Sequence, residues 1–207
     1  YDEDAEDENI DKLENYLNNN GELERFTHIQ MTKMAVPRKG KSSLNVYVYI
    51  PEKMENFNKD VTLQDRKTKE RYQLTDDGVV ISEKTSLLTG LKAGDDITIS
   101  WDNKDYTVKI SAVTENYMGH YVYMTPALYE KTFGKAPQYT KAVFTMKEKY
   151  KENVEDFGNE ILEYPAALSI SYTRTLEDQI GRMIVTLGMV TLVLIVSAGM
   201  LAFVVLY

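Results

Sequence analysis

Apolar and polar residues alternate in short runs through most of this chain, and then the alternation stops. Residues 183–207 contain no charged side chain, and Thr186, Thr191 and Ser197 are their only aliphatic hydroxyls. At about 1.5 Å per helical residue this stretch reaches roughly 37 Å, enough to cross a hydrocarbon core of about 30 Å with some tilt. A core helix of a soluble domain would rarely run so far without Lys, Glu or Asp, and a secretory signal would be shorter and N-terminal. The pattern predicts a membrane-crossing helix.

Upstream, the periods are those of strands and short helices. Ile10, Leu13 and Leu17 recur at helical spacing after an acidic run at 2–8, and the Asn-rich residues 18–20 with Gly21 stop that helix. Residues 44–50 (LNVYVYI) are apolar on both faces, as in a central strand, while 61–65 and 70–74 flank a polar turn like an exposed hairpin. Asp77-Gly78 marks a turn before a strand at 79–81. Ser82 then stands as N-cap of a short helix carrying Leu87 and Leu88 and closed by Gly90. Strands at 97–101 and 106–113, joined by Asp102-Asn103-Lys104, read as a half-buried hairpin with Tyr106, Val108, Ile110 and Ala112 on one face. A strand at 121–124 runs into Thr125-Pro126, an N-cap and first-turn proline for a helix ending at Gly134. The closing third predicts a strand at 140–146, a helix striped by Tyr150, Val154, Phe157 and Ile161, and a strand at 167–172. Thr175 to Asp178 then reads T-x-x-D, a capping-box-like start without the longer Glu, from which a single rod can run into the membrane.

The fold class expected is α+β: a mixed, mainly antiparallel sheet region with short helices on one face. Residues 1–174 would make one domain or two small lobes, and 175–207 a stalk and transmembrane helix.

Charge and chemistry narrow the function. The 207 residues carry a net charge of −8, all of it ahead of residue 183, with Lys and Arg scattered and outnumbered. That balance argues against nucleic acid or an anionic membrane surface as partner and suits a cationic ligand better. The absence of cysteine removes disulfides, thiol catalysis and thiolate metal sites together. His28 and His120 each lack a nearby second His or a carboxylate at i+4, so no local zinc motif exists. Neither G-x-S-x-G, a glycine-rich phosphate loop nor S-x-x-K is present. The paired aspartates 76–77 and 95–96 fall in turns, where Asp bonds its own backbone. No catalytic residue, cofactor or metal site is expected.

Two patterns remain as candidate binding features. Tyr117, Tyr121, Tyr123 and Tyr129 crowd the segment NYMGHYVYMTPALY, with Tyr121 and Tyr123 sharing a strand face. Such amphipathic rings suit a partner surface, with Tyr117, His120, Tyr121 and Tyr123 its members; equally, tyrosines are good strand residues and Gly119-His120 a turn. On the long helix, Gly181, Gly188 and Gly199 fall within about 20° of one another, with Thr191 and Ala202 on neighbouring positions of the same stripe. A small face of this kind lets another transmembrane helix approach closely.

Three runs in order, DGVVISEKTSLLTGLKAGDDITIS (77–100), ENYMGHYVYMTPALYEKTFG (115–134) and LIVSAGMLAFVVLY (194–207), resemble the extracytoplasmic domain of FtsX-like, MacB-type ABC transporter permeases, in particular the large multi-span permeases of Gram-positive bacteria. The resemblance covers residues 75–207 well and the first 74 only by their helix-then-strands order. It implies a domain of the MacB periplasmic core type outside the cell between two transmembrane helices, of which this chain shows the second. It further implies a cytoplasmic ABC ATPase subunit, dimeric assembly, and a multi-pass parent in the cell membrane. The outer domain would grip an antimicrobial peptide, a lipoprotein or a cell-wall protein. The different class left open is a single-pass, membrane-anchored ectodomain for ligand binding or adhesion.

Overall fold

The computed structural model describes residues 1, 5–116 and 119–206. Two compact units divide the chain, Tyr1–Leu168 and Ser169–Tyr207.

The first unit opens with α1 (Asp7–Asn19), which buries Leu13 and Leu17. β1 (Leu23–Arg38) and β2 (Lys41–Pro51) form a long hairpin from Ile29↔Pro51 to Arg38↔Lys41. On its other edge β1 pairs with β7 (Lys141–Met146) along its first half and meets β4 (Asp96–Trp101) at Ala35↔Ser100. β4 continues antiparallel into β5 (Lys104–Thr114) through Asp102 and Asn103, whose φ of 50° and 58° are those a tight primed hairpin turn requires. β5 runs parallel to β3 (Val79–Ser82), β3 antiparallel to β6 (Tyr121–Tyr123), and β6 parallel to β2. The ladder therefore closes on itself in the order β1-β2-β6-β3-β5-β4-β1, with β7 extending the open half of β1. It is a mixed, mainly antiparallel sheet.

Closure gives β-branched residues an interior to fill. Val46, Val48, Val79, Ile81, Ile97, Ile99, Ile110 and Val122 are wholly buried in one cluster, and α4 (Pro126–Phe133) packs Leu128, Tyr129 and Phe133 into it. Each such side chain contributes about 1.5–3 kcal/mol by burial. A second cluster lies against the outer face of β3, β5 and β6, where α2 (Met54–Asp60) lays Phe57 over Val80, Ala112 and Tyr123 together with Leu63 and Leu74.

Several elements follow the sequence closely. Thr125 Oγ1 accepts the Leu128 N–H at 3.1 Å, so Thr125-Pro126 does start α4, and Gly90 and Gly134 close α3 (Glu83–Thr89) and α4 in the left-handed conformation.

Others differ for identifiable reasons. Ala112 does not share a face with Tyr106, Val108 and Ile110: a bulge between the pairs Val79↔Ile110 and Val80↔Ala112 turns it to the outer cluster and sends Val113 inward. Ser82 makes no cap hydrogen bond, because its hydroxyl is held by Thr85 at 2.8 Å and accepts the Tyr121 N–H at 3.0 Å. The hairpin expected at 61–74 is reduced to the bridge Gln64↔Arg71, and Leu63 and Leu74 pull it against the core rather than leaving it exposed. Tyr150 lies in a 3-10 turn (Glu148–Asn153) ahead of α5 (Val154–Leu162), which buries Phe157 and Ile161. Residues 167–172 form no strand; Leu168 is 63% exposed, and only Ala166, just before them, is fully buried.

The second unit carries α6 (Thr173–Leu206), starting two residues before the expected cap. Within it Met183–Ala202 is long and apolar enough to cross a membrane, with a mean hydropathy of 2.4 and none of it buried.

Candidate functional site

The tyrosine-rich segment becomes a ladder once β6 docks beside β2. Their parallel register sets Tyr47 opposite Tyr121 and Tyr49 opposite Tyr123, with all four rings on the outer face. Tyr121 stacks on Tyr123 with centroids 5.6 Å apart and planes at 17°, Tyr47 and Tyr49 lie 5.8 and 5.6 Å from their cross-strand partners, and Phe57 closes the end at 5.6 Å from Tyr49. Ring pairs at these spacings add about 0.5–1.5 kcal/mol each beyond burial.

The ladder grades from buried to open. Tyr123 is 6% exposed, and burial pushes its phenol up to about 12, against the hydrogen bond that Asn116 Nδ2 donates at 3.1 Å. Tyr47, 40% exposed, offers its ring to solvent. His120 enters through its backbone, whose carbonyl accepts the Tyr47 N–H at 2.7 Å. Its imidazole is held below the usual histidine range, first by burial and then by the charges of Lys84 and Arg38, and its Nδ1 is buried without a hydrogen-bond partner among the described residues. Tyr117 lies outside the described residues. Tyr47, Tyr49 and Phe57 are members that sequence reasoning missed; the signal was the alternation of Tyr with Val in residues 46–49, which puts both tyrosines on one face.

Among the solved structures that resemble this chain, two are extracytoplasmic domains of transporters. One is the extracellular domain of the noncanonic ABC-type transporter YknZ from Gram-positive bacteria, at 14% identity and a TM-score of 0.45, covering 84% of this chain and 83% of that one. The other is the periplasmic region of MacB from Actinobacillus actinomycetemcomitans, at 13% identity and a TM-score of 0.48, covering 82% and 81%. MacB is the type that the sequence runs resemble. No protein-family model and no curated protein matches the chain.

A second group of side chains, which no local motif announced, gathers around His28. Its Nε2 faces Glu14 Oε1 of α1 at 2.7 Å and its Nδ1 faces Glu52 Oε2 beyond β2 at 3.1 Å. The Tyr1 hydroxyl donates to the same Glu14 oxygen, and burial with that contact raises the phenol far above its ordinary range. A cavity of about 570 Å³ lies alongside, lined by Glu14, His28, Gln138 and Tyr139 among others. The two carboxylates sit on opposite ring nitrogens and cannot converge on one ion; the cluster ties α1 to the sheet.

On α6, Gly181, Gly188 and Gly199 each leave open space where a Cβ would stand, and Ala202 is exposed. Thr191 Oγ1 is satisfied within the helix by the Leu187 carbonyl at 2.9 Å.

Proposed function

We propose that this chain is the extracytoplasmic domain and adjoining transmembrane helix of an ABC transporter permease of the FtsX/MacB type. It couples ATP hydrolysis by a cytoplasmic partner subunit to export, extraction or mechanical signalling at the outer face of the membrane. The observation that carries this reading is the join: a closed-sheet domain continues in one chain into α6 with its span Met183–Ala202. The runs that resemble the family fold, in order, as β3–α3–β4, as β6–α4, and as the end of that helix.

In this reading residues 1–174 are the outer domain, 175–207 are the coupling rod, and the parent is a multi-pass membrane protein assembled as a dimer. ATP hydrolysis moves the rod, and the outer domain grips a peptide, lipoprotein or cell-wall protein through a surface that includes Tyr117, His120 and Tyr121, with Tyr123, at 6% exposed, buried behind them as support rather than contact. The small face formed by Gly181, Gly188, Thr191, Gly199 and Ala202 packs against other helices of the permease, since its open glycine positions let a neighbour close to backbone distance. Gly188→Leu and Gly199→Leu in the full-length parent test this directly. Both should abolish the cellular phenotype that an ATPase-dead partner subunit also abolishes. An anchor for a ligand-binding or adhesion ectodomain would tolerate both leucines and would work without ATP.

A further inference from the structure

Between Glu24 and Glu52 there is no acidic residue, and this stretch, which is nearly the whole β1–β2 hairpin, carries Lys33, Arg38, Lys39 and Lys41. Arg38 Nε donates to the Ser42 carbonyl at 2.8 Å, and Lys39, Lys41 and Lys84 have no ion-pair partner among the described residues. The one acid beside Lys84, Glu83, is taken by Arg66 at 3.3 Å.

This basic tip adjoins apolar surface. α3 packs on β2, β3 and β5, and Lys84, Leu87 and Leu88 stand three and four residues apart on its outer side. Leu87 is 74% and Leu88 41% exposed, and both Lys84 and Arg38 act electrostatically on His120, the residue bonded to the backbone of exposed Tyr47. Lys84 and the two bare leucines therefore share the outer side of α3, which follows directly on Ser82, the acceptor of the Tyr121 N–H next to His120, whose carbonyl holds the Tyr47 backbone.

We infer that Arg38, Lys39, Lys84, Leu87, Leu88 and Tyr47 form a docking surface for an acidic protein segment that also presents an apolar side chain. This deepens the proposed function, on which it rests, by giving the outer domain's partner a charge and a place. Charge complementarity sets the sign of the partner, since no acidic residue stands between Glu24 and Glu52 beside Arg38 and Lys39, and Lys84 has no ion-pair partner among the described residues. The leucines set its class. A polyanionic glycan has nothing to cover them, and two leucines on a seven-residue helix whose inner face is buried are too little for a bilayer, where surface-lying helices bring a long apolar face.

The test places the photo-crosslinking amino acid p-benzoylphenylalanine at Leu87 of the full-length parent in its native membrane, identifies the adduct by mass spectrometry, and repeats this with Arg38→Glu plus Lys84→Glu. Lys109, exposed on β5, is the control position. The expected adduct is a protein segment rich in Asp and Glu with apolar residues, its yield at least fivefold above the Lys109 control and falling at least fivefold on charge reversal, with an unchanged melting temperature. A lipid or glycan adduct, a second copy of this chain, a yield indifferent to charge reversal, or no adduct above the control overturns the surface. Co-purification of an ATPase with the same variants separates the two claims: an ATPase without the adduct removes the surface and leaves the permease, while the adduct without an ATPase does the reverse.

Discussion

Gly78 offers a sharp test of how the sheet closes. A Cβ built there would stand 2.6 Å from the Lys109 carbonyl oxygen, 3.0 Å from the Ser111 nitrogen and 3.2 Å from the Lys109 carbonyl carbon. All three are backbone atoms, and they belong to the bulge where Val79↔Ile110 gives way to Val80↔Ala112. Relief needs roughly 0.5–1 Å of backbone movement to regain ordinary contact distance. β5 cannot move freely, because β3 and β4 hold it on both edges of a closed circuit. Overpacking of this kind costs about 1–3 kcal/mol, offset by about 0.4–1 kcal/mol from the reduced freedom of the unfolded chain. Gly78→Ala should therefore destabilise by about 1–2 kcal/mol, and Gly78→Val by more. Trp101, the only tryptophan, reports on the fold from the core edge, where it meets Phe133 edge-on at 5.7 Å and carries Lys135 Nζ 3.7 Å above its ring. Urea unfolding followed by its fluorescence should show a lower midpoint at unchanged slope. Gly40→Ala is the comparison: its φ of +70° penalises any side chain, yet nothing lies within 4 Å, so Ala and Ser should cost the same there. A Gly78→Ala variant within 0.5 kcal/mol of the parent, or no increase from Ala to Val, would refute the close approach.

Other perturbations follow from particular contacts. Asp60 Oδ1 accepts Arg25 Nε at 3.1 Å, Arg25 Nη2 at 2.6 Å and Thr145 Oγ1 at 3.1 Å, with side chains only 11% and 20% exposed for Asp60 and Arg25, while Arg25 Nη1 also donates to Glu24; Asp60→Ala should cost about 1.5–3 kcal/mol by removing those three hydrogen bonds, and a loss below 1 kcal/mol in urea unfolding would show the pair to be solvated. Thr125→Ala removes the cap of α4 together with the hydrogen bond its hydroxyl donates to Asp76 and should cost about 1–2 kcal/mol, recovered by Ser but not by Asp, whose carboxylate would face that of Asp76; equal stability of the Ala and Ser variants would contradict the cap. His120 is held below its ordinary range, so the unfolded chain binds a proton more readily than the folded one. Its effect is absent well above pH 6.5 and removes stability as pH falls below that value, and a His120→Asn chain whose stability falls just as steeply from pH 7.5 to 5 would contradict this.

What the sequence disclosed was local chemistry with a backbone mechanism. Thr125-Pro126, Gly90, Gly134 and the Asp102-Asn103 turn each satisfy a requirement within four residues, and the structure uses them where they stand. The span is legible for a simpler reason, the absence of charge over more residues than a soluble helix tolerates. What stayed hidden depends on distant partners. The face of Ala112 is set by a bulge against β3, the hydroxyl of Ser82 is claimed by the Tyr121 backbone, and α2 has neither a capping side chain nor a strong periodic signal, yet brings Phe57 into the aromatic cluster. The site was half visible for the same reason. Tyr121 and Tyr123 share a face by strand period alone, whereas Tyr47 and Tyr49 join them only through the parallel pairing of β2 with β6, and His28 meets Glu14 and Glu52 only after α1 folds back on β1.

The central claim is that the outer domain and its helix belong to a permease driven by a separate ATPase, and purification of the full-length parent from membranes in mild detergent tests it most directly. A nucleotide-binding subunit that accompanies it in stoichiometric amount and hydrolyses ATP is the result predicted. A clean single-pass protein, free of any ATPase subunit and without ATP hydrolysis, would contradict the account and leave an anchored binding ectodomain.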